Sequence, residues 1–194
     1  MDQETVLGEF RDAGALLEGH FKLSSGLHSS VYLQCARVLM DPKRAARLCG
    51  AFADKLRATG VEVDLVVSPA MGGVIVGYEV ARQLGVDGIF TERVEGEFAL
   101  RRGFEIPKGA RILMMEDVIT TGLSSRECIK TIHEWGGDVV AAGCLVNRSG
   151  GDVDVGAPIT SLVNINAPAY EPDNLPDELK AIPAIKPGSR GLKS

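Results

Sequence analysis

The sequence lacks the segments that would insert it into a membrane or direct it out of the cell. No apolar run reaches the roughly 20 residues that a bilayer-spanning helix needs, and the start, MDQETVLGEF, has no basic region followed by an apolar one. Cysteine is scarce, and Cys35, Cys49, Cys128 and Cys144 form no CxxC pair. These residues are therefore predicted to be reduced core thiols in a cytoplasmic protein.

Two common nucleotide-binding motifs and an excess of positive charge are also missing. The chain contains neither GxGxxG nor GxxxxGK[ST], which excludes the usual dinucleotide and P-loop patterns. Its 21 basic and 26 acidic residues give a net charge of -5, so neither nucleic acid nor an anionic membrane is expected as a partner. What is present, 45% hydrophobic and 24% charged residues over 194 positions, indicates a globular domain with a full core.

The stretch with the most functional signals is RILMMEDVITTGLS, residues 111–124. Its apolar run, Ile112 to Met115, is too short for a helix and does not alternate, which predicts a strand buried on both faces. Glu116 and Asp117 follow directly and are expected at an open strand end, because burying two adjacent carboxylates would be costly. The hydroxyl residues and glycine after them predict an anion-binding turn.

A helix is predicted after this turn. Ser124 as N-cap and Glu127 three residues later form a capping-box pattern. Four apolar residues are expected on one helix face: Cys128, Ile129, Ile132 and Trp135. Strand, acidic pair, turn and helix N-terminus together predict a ribose-phosphate site, with an ordinary strand-to-helix turn as the alternative.

This order of residues resembles the phosphoribosyl-pyrophosphate (PRPP) motif of type I phosphoribosyltransferases: an apolar strand, two acids, two small apolar residues and Thr-Thr-Gly. The resemblance extends over nearly the whole chain and is greatest to the branch of the family that acts on orotate. With the repeated strand-helix-strand units, it predicts an α/β fold: a doubly wound, mostly parallel sheet with a small N-terminal hairpin lid. One domain, 1–194, is expected, with a lid region at about 1–40, a core at about 41–166 and a tail at 167–194.

The resemblance implies transfer of ribose 5-phosphate from PRPP to orotate, giving orotidine 5'-phosphate and pyrophosphate in pyrimidine (UMP) biosynthesis. It implies Mg²⁺ as cofactor, bound through PRPP, with Glu116 and Asp117 reaching it through water. It also implies a homodimer in which the loop Arg93–Arg102 acts in the neighbouring subunit's site. A purine or xanthine phosphoribosyltransferase, and a non-catalytic PRPP-sensing regulator on the same fold, are the alternatives.

The residues that match the family's binding segments lie in the motif and in the loop after a second buried strand, Val63 to Val67. The predicted PRPP-binding residues are Glu116, Asp117, Val118, Ile119, Thr120, Thr121, Gly122, Leu123, Ser124, Ala70, Met71, Gly72 and Gly73. The predicted orotate-binding residues are Thr120, Arg148, Ser25 and Gly26. The predicted catalytic residues are Asp117, Glu116, Arg93, Arg101 and Arg102.

The arginines in these sets have alternative interpretations. The family's loop carries a lysine, but no lysine lies between Thr91 and Pro107. The three loop arginines are therefore the available cations, unless the loop is only a solvated hairpin. Arg148 directly follows the apolar strand Asp138 to Asn147, and an ion pair with Asp152 is the alternative to its orotate role.

Local signals predict the other elements of the chain. A helix over Glu4 to Ala13 precedes a hairpin whose strands lie near His20 to Leu23 and Val31 to Cys35. Asp41-Pro42 starts a helix, and another is expected from about Gly73 to Leu84. The tail, Ile182 to Arg190, resembles that of one branch of the family but has no preceding cysteine, so no metal knuckle is expected.

Overall fold

The computed structural model describes residues 1–23, 26–151 and 153–186. In chain order its elements are α1 (Gln3–Asp12), β1 (Leu16–Lys22), β2 (His28–Leu33), α2 (Cys35–Leu39), α3 (Pro42–Arg57), β3 (Leu65–Pro69), α4 (Gly72–Leu84), β4 (Asp87–Val94), β5 (Glu97–Leu100), β6 (Arg111–Ile119), α5 (Leu123–Glu134), β7 (Asp138–Asn147), β8 (Ile159–Asn164), β9 (Ala169–Tyr170) and α6 (Asp177–Lys180). None of the helices in these ranges combines the length and apolar composition that crossing a bilayer requires.

The main sheet has the strand order β5-β4-β3-β6-β7-β8. All neighbouring pairs are parallel except the β4–β5 hairpin. Helices α3 and α4 pack on one face, against side chains such as Leu113 and Met115, and α5 packs on the other, against Ile112 and Met114. The predicted doubly wound, mostly parallel sheet is confirmed, and the carboxyl ends of β3, β6 and β7 meet at one edge.

Local signals account for the start of α3 and the end of α4. The Asp41 side chain accepts hydrogen bonds from the backbone N–H groups of Lys43 and Arg44, at 2.9 and 3.4 Å, and Pro42 occupies the first turn. Gly85 ends α4 in the left-handed conformation, with φ of +77°. Both boundaries are those predicted from the sequence.

The lid differs from the prediction in the bounds of its strands and in their number. Its hairpin pairs Leu16 with Leu33 and Lys22 with His28, so both strands begin earlier than predicted. A third strand, β9, pairs with β2 and comes from the C-terminal region. Pairing between segments so distant in the chain leaves little signal in the sequence, and the short helix α2 was likewise not predicted.

Candidate active site

Strand β6 runs through the acidic pair, so the prediction that it ends at Met115 is wrong. The parallel partner β7 pairs with Glu116 through Cys144 and continues to pair as far as Ile119. Glu116 is buried, with 8% of its surface exposed, whereas Asp117 is partly exposed. Both acids therefore lie within the strand rather than at its open end, and only Asp117 keeps part of the expected exposure.

A hydroxyl group in the next helix makes the burial of Glu116 tolerable. Ser125 Oγ donates to Glu116 Oε2 at 2.5 Å, and Ser125 is fully buried. Burial raises the pKa of Glu116 to about 7; the Ser125 hydrogen bond opposes this shift and the charge of Asp117 adds to it. Sequence reasoning missed Ser125, for which the only signal is the second serine of Gly-Leu-Ser-Ser.

Asp117 is held by its own strand. The backbone N–H of Val118 donates to Asp117 Oδ1 at 2.9 Å. Burial of the Asp117 carboxyl raises its pKa, and backbone hydrogen bonds oppose that shift. Within the described residues neither carboxyl group of the pair forms an ion pair, so the two acids are poised to interact with hydroxyl donors or a hydrated cation.

Glycine is required in the turn after β6. Gly122 has φ of +71°, and a Cβ there would lie 2.7 Å from Val153 Cγ2 and 2.8 Å from Val155 Cγ1. Gly122 is also the N-cap of α5, without a side-chain cap, so the predicted capping box of Ser124 and Glu127 is wrong. Helix α5 begins too early for that motif.

The turn presents unused backbone donors. The N–H groups of Thr121, Gly122 and Ser124 donate no hydrogen bond to any described residue. Arg126 supports the turn by donating from Nη1 to the carbonyl oxygens of Thr121, at 3.1 Å, and Asp154, at 2.9 Å. Free amides at the N-terminus of a 12-residue helix can bind a phosphate group.

The loop after β3 closes on the acidic pair. A Cβ at Gly72 would lie only 3.0 Å from Asp117 Oδ1, so a larger residue would displace the carboxylate. The Ala70–Met71 peptide bond is cis, and Met71 is 85% exposed. The structure thus brings together the two predicted PRPP segments, residues 70–73 and 116–124.

Arg148 reaches from the end of β7 to the lid. Its Nη2 donates to Ser29 Oγ at 3.3 Å and to the Val31 carbonyl oxygen at 3.0 Å. Arg148 is 8% exposed, and its buried Nε has no hydrogen-bond partner among the described residues. Burial lowers the pKa of the guanidinium. Ser25 and Asp152, the latter its alternative partner, lie outside the described residues, whereas Gly26 lies in the lid turn with φ of +89°.

The buried thiol of Cys35 is affected by the charges of both Asp117 and Arg148. Burial raises the pKa of Cys35 well above its usual value; Asp117 raises it further and Arg148 lowers it. The carboxylate of Asp117 and the guanidinium of Arg148 therefore act in opposite directions on the pKa of the same buried thiol.

The loop arginines have different partners. Arg93 pairs with Glu127 on α5 and lies over the Phe98 ring, 4.2 Å from its centroid. Arg102 pairs with Glu92, with Nη2 and Oε1 2.7 Å apart. Arg101 is exposed, and its guanidinium forms no hydrogen bond or ion pair with the described residues. The predicted hairpin is confirmed as β4 and β5, and Arg101 is the arginine available to a ligand.

The sequence of this chain is similar to those of known proteins over nearly its whole length. Residues 38–173 match the family described as phosphoribosyl transferase domain. Orotate phosphoribosyltransferase of Maricaulis maris is 58% identical over 193 residues, covering 99% of this chain and 100% of its own. That of Parvibaculum lavamentivorans is 59% identical, with the same coverage. The chain belongs to the orotate phosphoribosyltransferases. The purine and regulatory alternatives are not favoured.

Solved orotate phosphoribosyltransferase structures share the fold. The enzyme from Aeropyrum pernix is 25% identical, with a TM-score of 0.69, covering 82% of this chain and 93% of its own. An adenine phosphoribosyltransferase from Saccharomyces cerevisiae, 16% identical, still reaches a TM-score of 0.62 over 81% of this chain and 99% of its own. The fold is thus common to orotate and adenine enzymes, and full-length sequence identity places this chain with the orotate enzymes.

Proposed function

We propose that this chain transfers ribose 5-phosphate from PRPP to orotate, releasing pyrophosphate and forming orotidine 5'-phosphate. The observation that carries the proposal is the convergence of three groups toward the carboxyl ends of parallel strands: the acids in β6, the Gly72 loop after β3 and Arg148 after β7. Ligands of parallel α/β sheets bind beyond the carboxyl ends of the strands. This edge offers donors for phosphate, carboxylates for hydroxyl groups and a guanidinium for a planar anion.

In this proposal each PRPP group has a receptor. The free amides of Thr121, Gly122 and Ser124 bind the 5'-phosphate at the start of α5. Glu116 and Asp117 accept hydrogen bonds from the ribose hydroxyls. The backbone of residues 70–73 receives pyrophosphate, because glycines at 72 and 73 allow close approach. Fixing the anomeric carbon and the base in this way supplies catalysis by positioning.

The acidic pair also fits Mg²⁺. Both carboxyl groups have raised pKa values and no cationic partner among the described residues, so a cation would relieve the cost of their ionisation. No cluster of three potential metal ligands occurs in the described ranges. Magnesium, which keeps several waters and binds substrate phosphates, suits such a sparse site. When bound, it would neutralise charge on the pyrophosphate.

A panel of bases tests the proposed reaction. With PRPP and magnesium, we expect orotate to be consumed, and hypoxanthine, guanine, adenine and uracil to react much more slowly. Arg148 accounts for this preference, because its buried guanidinium would lack one of its hydrogen-bond acceptors when the base carries no carboxylate. Liquid chromatography of the nucleotide product reads the result, and preferential consumption of a purine would refute the proposal.

We further propose a homodimer formed through α4 and β4. Met71, Ile75 and Tyr78 are 85%, 51% and 67% exposed and share one face of α4. Ile75 and Tyr78 line a groove of about 240 Å³ together with Ile89 and Phe90 of β4. Burial of this apolar face would favour association, and because α4 begins at the pyrophosphate loop, the partner would lie beside the site.

Complementation tests whether the loop acts across the dimer. We expect Arg101→Ala and Asp117→Asn each to inactivate the homodimer, and mixed subunits to recover activity, because each heterodimer would contain one intact site. Arg102→Ala, whose side chain pairs with Glu92, is the matched control and should lose less activity. Subunit exchange is confirmed with two affinity tags, and exchange without recovery would place the loop in its own subunit's site.

A further inference from the structure

The lid hairpin is bordered on both edges by the C-terminal region. On one edge, β9 pairs Tyr170 with His28 and Ala169 with Ser29. On the other edge, Ile185 donates its N–H to the His20 carbonyl at 2.8 Å and accepts from the Lys22 N–H at 2.8 Å. A two-stranded hairpin is marginal by itself. The lid therefore depends on residues that follow the core in sequence.

A buried histidine pair reinforces the second edge. His20 Nδ1 lies 2.8 Å from the Ile182 carbonyl oxygen, and His20 Nε2 lies 2.5 Å from His28 Nδ1. Because a carbonyl oxygen only accepts, Nδ1 of His20 carries a proton; in the neutral pair its Nε2 then accepts from His28 Nδ1–H. His20 and His28 are 4% and 9% exposed. The pair links residue 182 directly to β2.

The next residues of β2 hold the proposed orotate arginine. Ser29 adjoins His28, and its Oγ accepts from Arg148 Nη2; the Val31 carbonyl oxygen accepts from the same nitrogen. A continuous set of contacts thus runs from the backbone of residues 182–185 through the histidine pair to Arg148. Ser29 is fully buried, so a shift of β2 would have to move the guanidinium or break its hydrogen bonds.

We propose that the backbone groups of Ile182 and Ile185, which together we name the C-terminal strap, and the side chain of His20 are positioning elements for the base. They hold β2 in the register that orients Arg148, and they contribute to orotate binding rather than to PRPP binding. This inference rests on the proposed function, because it assigns Arg148 to orotate. It gives the C-terminal segment a role in the choice and placement of the base.

Two proline variants separate the strap from general effects on the tail. Ile185→Pro removes the N–H that bonds to His20, while the Ile185 side chain is already 57% exposed. Ala184→Pro is the matched control, since the Ala184 N–H donates no hydrogen bond to a described residue. We expect Ile185→Pro to raise the KM for orotate about two- to tenfold. The KM for PRPP, and both constants of Ala184→Pro, should stay close to those of the unmodified chain.

His20→Leu provides a second variant, because it removes both ring hydrogen bonds while keeping an apolar side chain. Its orotate KM should rise in the same range, and hydrogen exchange of the amides of residues 28–31 should become faster. In an Arg148→Ala background neither Ile185→Pro nor His20→Leu should weaken orotate further, since both act through the arginine.

The possible outcomes distinguish an error in the strap proposal from an error in the proposed function. If Arg148→Ala weakens orotate but Ile185→Pro behaves like Ala184→Pro, the strap inference is wrong and the proposed function stands. If the strap variants weaken PRPP and orotate equally, the segment has only a general structural role. If Arg148→Ala leaves orotate binding unchanged, the base site itself is misassigned.

Discussion

Asp117→Asn is expected to lower kcat by about 100- to 1,000-fold, which corresponds to ~2.7–4 kcal/mol of lost transition-state stabilisation. Asparagine keeps the shape of the side chain and can still accept from the Val118 N–H. It cannot supply the negative charge that the ribose hydroxyls and the hydrated cation would interact with as pyrophosphate leaves. The loss should therefore appear in kcat more than in either KM.

The same substitution should leave the fold intact. Burial raises the pKa of Asp117, so its ionised form is disfavoured in the folded state, and a neutral amide removes that cost. The melting temperature should stay the same or rise. Asp138→Asn, an exposed aspartate at the start of β7 and hence at the opposite edge of the sheet, is the control and should retain full activity. Unchanged turnover in Asp117→Asn would mean that the acidic pair has no role in catalysis and belongs to an ordinary strand-to-helix turn.

Arg148→Ala is expected to weaken orotate binding about ten- to a hundredfold, because hydrogen bonds to charged groups contribute ~1.5–3 kcal/mol. PRPP binding should change little, since the loop amides and the acidic pair remain. Arg148→Lys should restore only part of the affinity, because lysine keeps the charge but loses the planar fork. Calorimetric titration with each substrate separately measures the difference.

A surface arginine distant from the site provides the control for Arg148. Arg111 lies at the start of β6 and pairs with Glu62 and Asp64 at the far edge of the sheet. Arg111→Ala should leave both substrates bound normally. Equal weakening of PRPP and orotate by Arg148→Ala, or a lower melting temperature without a selective orotate defect, would make Arg148 a scaffold residue that only holds Ser29 and Val31.

Local signals in the sequence were sufficient where neighbours in the chain make the interaction. The N-cap at Asp41 and the left-handed Gly85 are set by hydrogen bonds within a few residues. The same reasoning failed at α5, because capping depends on where the preceding strand ends. Pairing with β7 carries β6 on to Ile119, so Gly122 becomes the N-cap and Glu127 pairs instead with Arg93 of the loop.

Trp135, at the end of α5, is a second residue whose environment the local pattern predicted incorrectly. The periodicity placed it with Cys128, Ile129 and Ile132, which are buried, but it is the C-cap residue of α5 and is 49% exposed. A helical pattern predicts facing directions only for residues within the helix. Where the helix stops is decided by Gly136, with φ of +85°.

Residue order alone was enough to recognise the PRPP motif, the parallel sheet and the placement of Glu116, Asp117 and Arg148 toward the carboxyl ends of their strands, because these follow from short patterns and simple topology. Only folding could decide that Glu116 is buried against Ser125, that Gly72 contacts Asp117, and that Arg148 bonds to the lid. The contacts between the C-terminal strap and the lid were likewise decided only by folding. Each of these contacts joins separate elements of the fold, many of them distant in the chain, so the preferences of individual residues cannot predict them.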